Sequence, residues 1–181
     1  MNIDDLKTLL LKYNIDLEKW SHTQGTKNIE DLKNEIDAGE TILEIIDNQL
    51  VRVTRIASIK VKVKIGEKMF TLVEDQQIFF TGAVRKRGLS NLAEKIRRGE
   101  TPEFAAYRAL KEEIGLHTTK KFEQLEETAK NNHSPSYPGL NSVYKTFNYQ
   151  ITLNELDLEF MRFTEYQKKK GKITFFTLKP D

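Results

Sequence analysis

Glu94, Glu100, Arg108, Glu112 and Glu113 have the side-chain types and spacing to do chemistry together. They sit in or beside the run Gly99-Glu100-Thr101-Pro102-Glu103-Phe104-Ala105-Ala106-Tyr107-Arg108-Ala109-Leu110-Lys111-Glu112-Glu113-Ile114-Gly115-Leu116. Thr101 reads as an N-cap with Pro102 in the first turn and Glu103 beside the positive helix end, and Gly115 reads as the stop. Arg108 and Glu112 are four apart and can pair on one helix face. Glu113 is turned about 100° from Glu112. Two adjacent carboxylates near a helix C-terminus oppose the macrodipole, which favours cations there. The pattern therefore asks for a positive partner, either an arginine or a bound metal ion. Spacing alone favours the plainer reading, an exposed amphipathic helix with ordinary surface glutamates.

Composition narrows the chemistry further. The chain of 181 residues has no cysteine, which excludes disulfides, thiolate metal sites and a cysteine nucleophile. Its histidines, His22, His117 and His133, are scattered and show no metal-binding spacing. Catalysis would have to use carboxylates, hydroxyls, Lys/Arg or a hard metal ion. The net charge of +2 is unevenly spread: residues 1–50 hold 5 Lys against 11 Asp/Glu, and the remainder is basic. The sharpest basic stretch contains Arg85, Lys86, Arg87, Lys95, Arg97 and Arg98, interrupted by Glu94. Such a cluster can hold phosphates or nucleic acid, and a solvated loop accounts for it equally well. Aromatics are not interleaved with it, so there is no strong case for nucleic acid.

The acidic helix resembles the Nudix box, the signature of the Nudix hydrolase family. That box reads Gly, five residues, Glu, seven residues, Arg-Glu, an aliphatic, any residue, Glu-Glu, any residue, Gly, an aliphatic. Glu100, Arg108, Leu110, Glu112, Glu113, Gly115 and Leu116 fill its positions at the right spacing across residues 94–116. Two positions depart from it: Glu94 stands where the leading Gly belongs, and Ala109 stands where the Glu after Arg belongs. In the family the second of these carboxylates lies on the face that binds the divalent cation, so its loss weakens that site without necessarily abolishing it.

The resemblance implies hydrolysis of a nucleoside diphosphate linked to another group, with Mg²⁺ or Mn²⁺ as cofactor and a small nucleotide as partner. It implies Glu112 and Glu113 as metal ligands and Arg108 as the group that orients them. Glu100 would support the site or a second ion, and Glu94 is placed to compensate for Ala109. On the same reading Arg85, Arg87, Arg97 and Arg98 hold phosphates, and Tyr137 stacks on a base. The general base is left open among Glu123, Glu126 and Glu127. The alternative is a catalytically inactive Nudix-fold module that binds nucleotide or regulates. Trp20, Phe79-Phe80 and Phe175-Phe176 read as core.

The elements that position these residues follow from periodicity. Leu6, Leu9, Leu10 and Tyr13 lie on one helical face. A second helix starts at Asn28, with Asp31 completing a capping box, and stops at Gly39. The period changes to two at residue 50, and Ile59, Val61, Val63 and Ile65 alternate with lysines as a half-buried strand. Gly66-Glu67 and Asp75-Gln76 read as turns between Met69–Val73 and Ile78–Thr81. Residues 82–100 read as a loop, 121–127 as an ambiguous strand and Asn131–Asn141 as a loop. Val143–Leu153 reads as a strand, and Met161–Tyr166 with Ile173–Leu178 as a final hairpin. The expected fold class is α/β, a Nudix-like α/β/α sandwich with a mixed β-sheet, preceded by a helical N-terminal extension at 1–49 and itself spanning 50–181. That extension could cover a face of the sandwich, recognise substrate or form a homodimer. The sequence has no membrane-spanning run and no basic leader, so a cytoplasmic protein is expected.

Overall fold

The computed structural model describes residues 1–181 and shows a mixed α/β fold of three α-helices and ten strands. The chain divides into two compact units. The first comprises Met1–Ile56, Lys95–Glu100 and Glu127–Thr146; the second comprises Ala57–Glu94, Thr101–Glu126 and Phe147–Asp181. No helix is long and apolar enough to cross a membrane.

In the first unit, α1 (Ile3–Lys12) begins at Asn2, whose side chain and that of Asp5 satisfy each other's backbone N–H groups. Its Leu6 and Leu10 are fully buried, as the periodicity requires. The helix α2 (Ile29–Asp37) has the reciprocal Asn28–Asp31 capping box, both bonds at 2.9 Å. It ends at Ala38, followed by Gly39 at φ +68°. A Cβ at Gly39 would stand 2.2 Å from Arg98 Cβ, so the close approach there requires glycine.

Extended structure starts earlier than the change of period at residue 50 indicates. The strand β1 (Thr41–Ile46) pairs antiparallel with the start of β2 (Gln49–Ile65). The two-residue connection, Asp47-Asn48, has both residues at positive φ, as the twist of a type I′ hairpin demands. Four of the six β1 residues are β-branched, which suits a pleated surface. The expected loop at Asn131–Asn141 is shorter than read: β7 (Thr128–His133) pairs with the first part of β8 (Asn141–Asn154). Leu6, Leu10, Ile15, Trp20, Leu32, Leu50, Tyr137 and Leu140 form the core of this unit.

The second unit holds the strand order β6-β8-β2-β3-β10-β9, with β4 on β3 and β5 on β2. Here β3 is Lys68–Phe79, β6 Glu123–Gln124, β9 Thr164–Gln167 and β10 Lys172–Pro180. The half-buried strand read at residues 59–65 is the second half of β2, and Gly66-Glu67 turns it into β3 with Ile65 opposite Lys68. Residues 82–100 are not a plain loop. They contain β4 (Val84–Leu89) and β5 (Leu92–Lys95). Every residue of β4 is exposed, so the strand carries no apolar alternation for a sequence reading to detect.

The expected turn at Asp75-Gln76 is a bulge inside β3. On one side Glu74 faces Phe176 and Gln76 faces Phe175; on the other Glu74 faces Leu89 and Gln76 faces Lys86. Asp75 is the extra residue on both sides. The ambiguous strand at 121–127 reduces to β6. The final hairpin is present as β9 and β10, joined through Lys168–Lys170 and Gly171. The remaining helix, α3 (Pro102–Ile114), packs against β9.

Candidate functional site

The helix α3 follows its sequence signals closely. Thr101 Oγ1 accepts from the Phe104 N–H at 3.1 Å, Pro102 occupies the first turn, and Gly115 caps the C-terminus at φ +70°. Ala105, Ala106, Ala109, Leu110 and Ile114 form its buried face. Glu113 lies one turn beyond Ala109, so its side chain starts from the same inward side.

Arg108 is largely buried, and its Nη1 lies 3.0 Å from Glu94 Oε1 and 3.8 Å from Glu112 Oε2. The two carboxylates differ in setting: Glu94 is mostly covered, whereas Glu112 is about half exposed. Together they meet the guanidinium charge and limit its rotation. The residue at the leading-Gly position is thus an ion-pair partner of the box arginine.

Glu113 is the most perturbed acid of the helix. Burial pushes its carboxyl up to about 8, and the charges of Glu165, Glu94 and Glu74 add to the effect. A hydrogen bond from the Ala93 backbone works the other way. Its Oε1 is buried without a hydrogen-bond partner. Glu165 of β9 is also pushed up by burial, with the Glu94 charge adding; the hydrogen bond from Gln167 and the charges of Lys170 and Lys172 oppose the rise. A buried carboxylate with a free oxygen and like-charged neighbours stays protonated unless a cation compensates it. No three acidic or histidine side chains enclose an ion by themselves.

Beside this acid group stand cations of the strands. Arg87 Nη1 lies 3.3 Å from Glu74 Oε2, and the Arg85 guanidinium bonds Gln77 and lies 5.5 Å from the Phe79 ring centroid. Burial lowers the Lys172 ammonium, as do the neighbouring charges of Lys170, Arg87 and Arg85, while Glu74 pulls it up. On the outer side of α3, Phe104, Tyr107, Arg108, Lys111, Glu112 and Phe160 line part of a cleft of about 810 Å³.

Other residues singled out by sequence lie elsewhere. Arg97, Arg98 and Glu100 belong to the first unit, where Glu100 Oε2 accepts from the Arg97 N–H at 2.8 Å. Tyr137 corrects the expectation of base stacking. It is fully buried in the first unit, its hydroxyl donates to Glu35 Oε1 at 3.2 Å, and its ring meets Trp20 at 5.0 Å. A ring already packed on both its edge and its face has no surface left for a base. Glu123, Glu126 and Glu127 are exposed, and Glu123 Oε2 accepts from Gln150 at 3.1 Å. Sequence reasoning missed Glu74 and Glu165 beside Glu113. Glu74 was hidden next to a supposed turn and Glu165 within a supposed hairpin, and strand register alone brings them into play.

No protein-family profile matches this chain, and no curated protein does. Solved structures similar to it are Nudix proteins. An Ap4A hydrolase of C. elegans in a binary complex is 16% identical, over 70% of this chain and 79% of that one, with a TM-score of 0.42. The Nudix domain of Shewanella oneidensis NrtR complexed with ADP ribose is 14% identical, over 70% and 71%, with a TM-score of 0.42. A MutT/Nudix family protein of Enterococcus faecalis is 16% identical, over 54% and 36%, with a TM-score of 0.37.

Proposed function

We propose that this chain hydrolyses the pyrophosphate bond of a nucleoside diphosphate linked to another group, with Mg²⁺ or Mn²⁺ as cofactor. The observation that carries the reading is Glu113: a buried carboxyl with an unpartnered oxygen, at the spacing of the box, beside the Arg108–Glu94 pair. An all-oxygen donor set suits a hard dication, which needs only one or two protein carboxylates when water and phosphate oxygens complete its shell. When bound, such an ion polarises phosphate oxygens and lowers the pKa of the attacking water.

The chain's own residues then have distinct tasks. Glu113 gives up its proton and serves as the inner ligand, and Glu112 is the outer one. Arg108 holds Glu112 and Glu94 in place, so that neither needs ordering when substrate arrives. Arg85 and Arg87 hold phosphate, with Arg97 and Arg98 as further phosphate contacts and Glu100 in support. A nucleotide-binding module without turnover is the second reading, favoured by Ala109 in place of the family glutamate.

Both readings are tested by incubating the full chain with ADP-ribose, dinucleoside polyphosphates or nucleoside triphosphates in Mg²⁺ or Mn²⁺ and measuring released phosphate and nucleoside monophosphate. Turnover that Glu113→Gln abolishes supports hydrolysis. Thermal stabilisation by one of these nucleotides without turnover selects the binding module.

A further inference from the structure

The register of β10 with its two neighbours brings together groups that are far apart in sequence. Thr174 and Phe176 are two apart on β10 and share one face. Thr174 lies opposite Glu165 of β9, and Phe176 lies opposite Glu74 of β3. Thr174 and Phe176 are only 2% and 6% exposed, so Glu165 and Glu74 stand on the buried face of these strands. The bulge is the reason for Glu74. Without the extra residue Asp75 would face Phe176, and Glu74 would turn to the other side.

This face is rich in oxygen atoms without donors. Glu74 Oε1, Thr174 Oγ1 and Gln167 Oε1 are buried with no hydrogen-bond partner, as is Glu113 Oε1 on α3. Gln167 is two residues from Glu165 on β9 and shares its face, and its amide N–H₂ donates to Glu165 at 2.7 Å. Each such buried oxygen costs free energy unless something satisfies it. Glu74 uses its second oxygen on Arg87, so Oε1 is the atom left over. Acceptors concentrated in this way, with carboxylates among them, match the needs of a hard divalent cation. On the helix side the position that should carry a second carboxylate is Ala109, fully buried one turn before Glu113.

We propose that the strands supply the carboxylate the helix lacks: Glu165 of β9, with Glu74 of β3 beside it, joins Glu113 in holding the divalent cation. The inference rests on the hydrolase reading above and deepens it, because it names ion-holding residues outside the box. It makes Ala109 a relocation of charge from helix to strand rather than a loss.

The test is Mn²⁺ binding to the full chain without nucleotide, followed by electron paramagnetic resonance, together with the melting temperature of the metal-free protein. Glu165→Gln is expected to raise the Mn²⁺ Kd at least about tenfold. Its metal-free melting temperature should be unchanged or higher, since the substitution removes a charge from an acidic group. Glu74→Gln should act in the same direction with a smaller effect. Adding Ala109→Glu to Glu165→Gln should recover binding. An unchanged Kd in Glu165→Gln, with binding lost in Glu113→Gln, would overturn the proposal and leave the hydrolase reading standing. A lower melting temperature with unchanged Kd would equally overturn it, by making Glu165 structural. Absence of Mn²⁺ binding in the unaltered chain would remove both.

Discussion

Arg108 Nη1 lies 3.0 Å from Glu94 Oε1, which ties the middle of α3 to the end of β5 through a largely buried guanidinium. The partner stands at the position where the box has glycine, so a side chain here does work that the family assigns to backbone. Truncating the arginine leaves Glu94 covered and unpaired. Arg108→Ala should therefore lower stability by about 1–3 kcal/mol. Glu94→Gln keeps an acceptor and should cost less. Urea unfolding of both variants gives the comparison, and a milder effect for Arg108→Ala than for Glu94→Gln would contradict the arrangement.

Glu113 sets a pH dependence of definite sign. Its folded-state carboxyl titrates near 8, against 4.5 ordinarily. Between those values the folded chain holds a proton that the unfolded chain has released, so stability falls as pH rises from about 4.5 to 8. Below 4.5 the group contributes no penalty. A shift of this size corresponds to roughly 4 kcal/mol when fully developed above pH 8. Glu113→Gln should accordingly raise the melting temperature of the metal-free protein at pH 9 and leave it nearly unchanged at pH 4. A lowered melting temperature at pH 9 would show that the carboxylate is not under electrostatic strain.

Ala109→Glu asks whether the helix position is limiting. If the strand carboxylates only partly replace it, the variant should hydrolyse faster at equal Mg²⁺, by about tenfold on the scale of outer-ligand losses. The measurement is initial rate against Mg²⁺ concentration. An unchanged rate would mean that the acids already present suffice. The position is fully buried, so the melting temperature must be recorded alongside to separate crowding from chemistry.

What the sequence disclosed and what it hid divide along the range of the interactions. The Asn2, Asn28 and Thr101 caps and the Gly115 stop are decided within four residues, and the capping box at Asn28–Asp31 stands as read. Alternating apolar residues marked β2 because one of its faces is buried. The strand β4 showed no such pattern because both of its faces are wet. The box residues could be listed by spacing, but whether Glu113 pointed into the protein depended on packing of α3 with β9. Glu74 and Glu165 lay beyond reach altogether. Their shared face comes from register across β10 and from one inserted residue, Asp75, which a local reading turns into a loop. Tyr137 misled for the opposite reason: its Pro- and Gly-rich surroundings suggest an exposed loop, yet its hydroxyl closes a buried ionic network around Glu35.

That network gives a prediction for the first unit. Burial disfavours charge on Glu35, but hydrogen bonds from Lys27 and Arg52, with the charges of Arg52 and Lys95, overcome it and hold the carboxyl at about 2. Arg52 Nη2 lies 2.6 Å from Glu35 Oε2, with both side chains almost wholly covered. Because the folded value is depressed, the stabilisation is fully present above about 4.5 and is lost as pH falls from there through 2. The difference between 4.5 and 2 corresponds to about 3 kcal/mol. Glu35→Gln should destabilise the chain by roughly that amount at pH 7, since it leaves Arg52 buried without a counter-charge. The gap between variant and parent should narrow steadily as the pH approaches 2. Circular dichroism melts across pH 2–7 would show the convergence, and a constant gap over that range would mean that Glu35 acts through packing rather than charge.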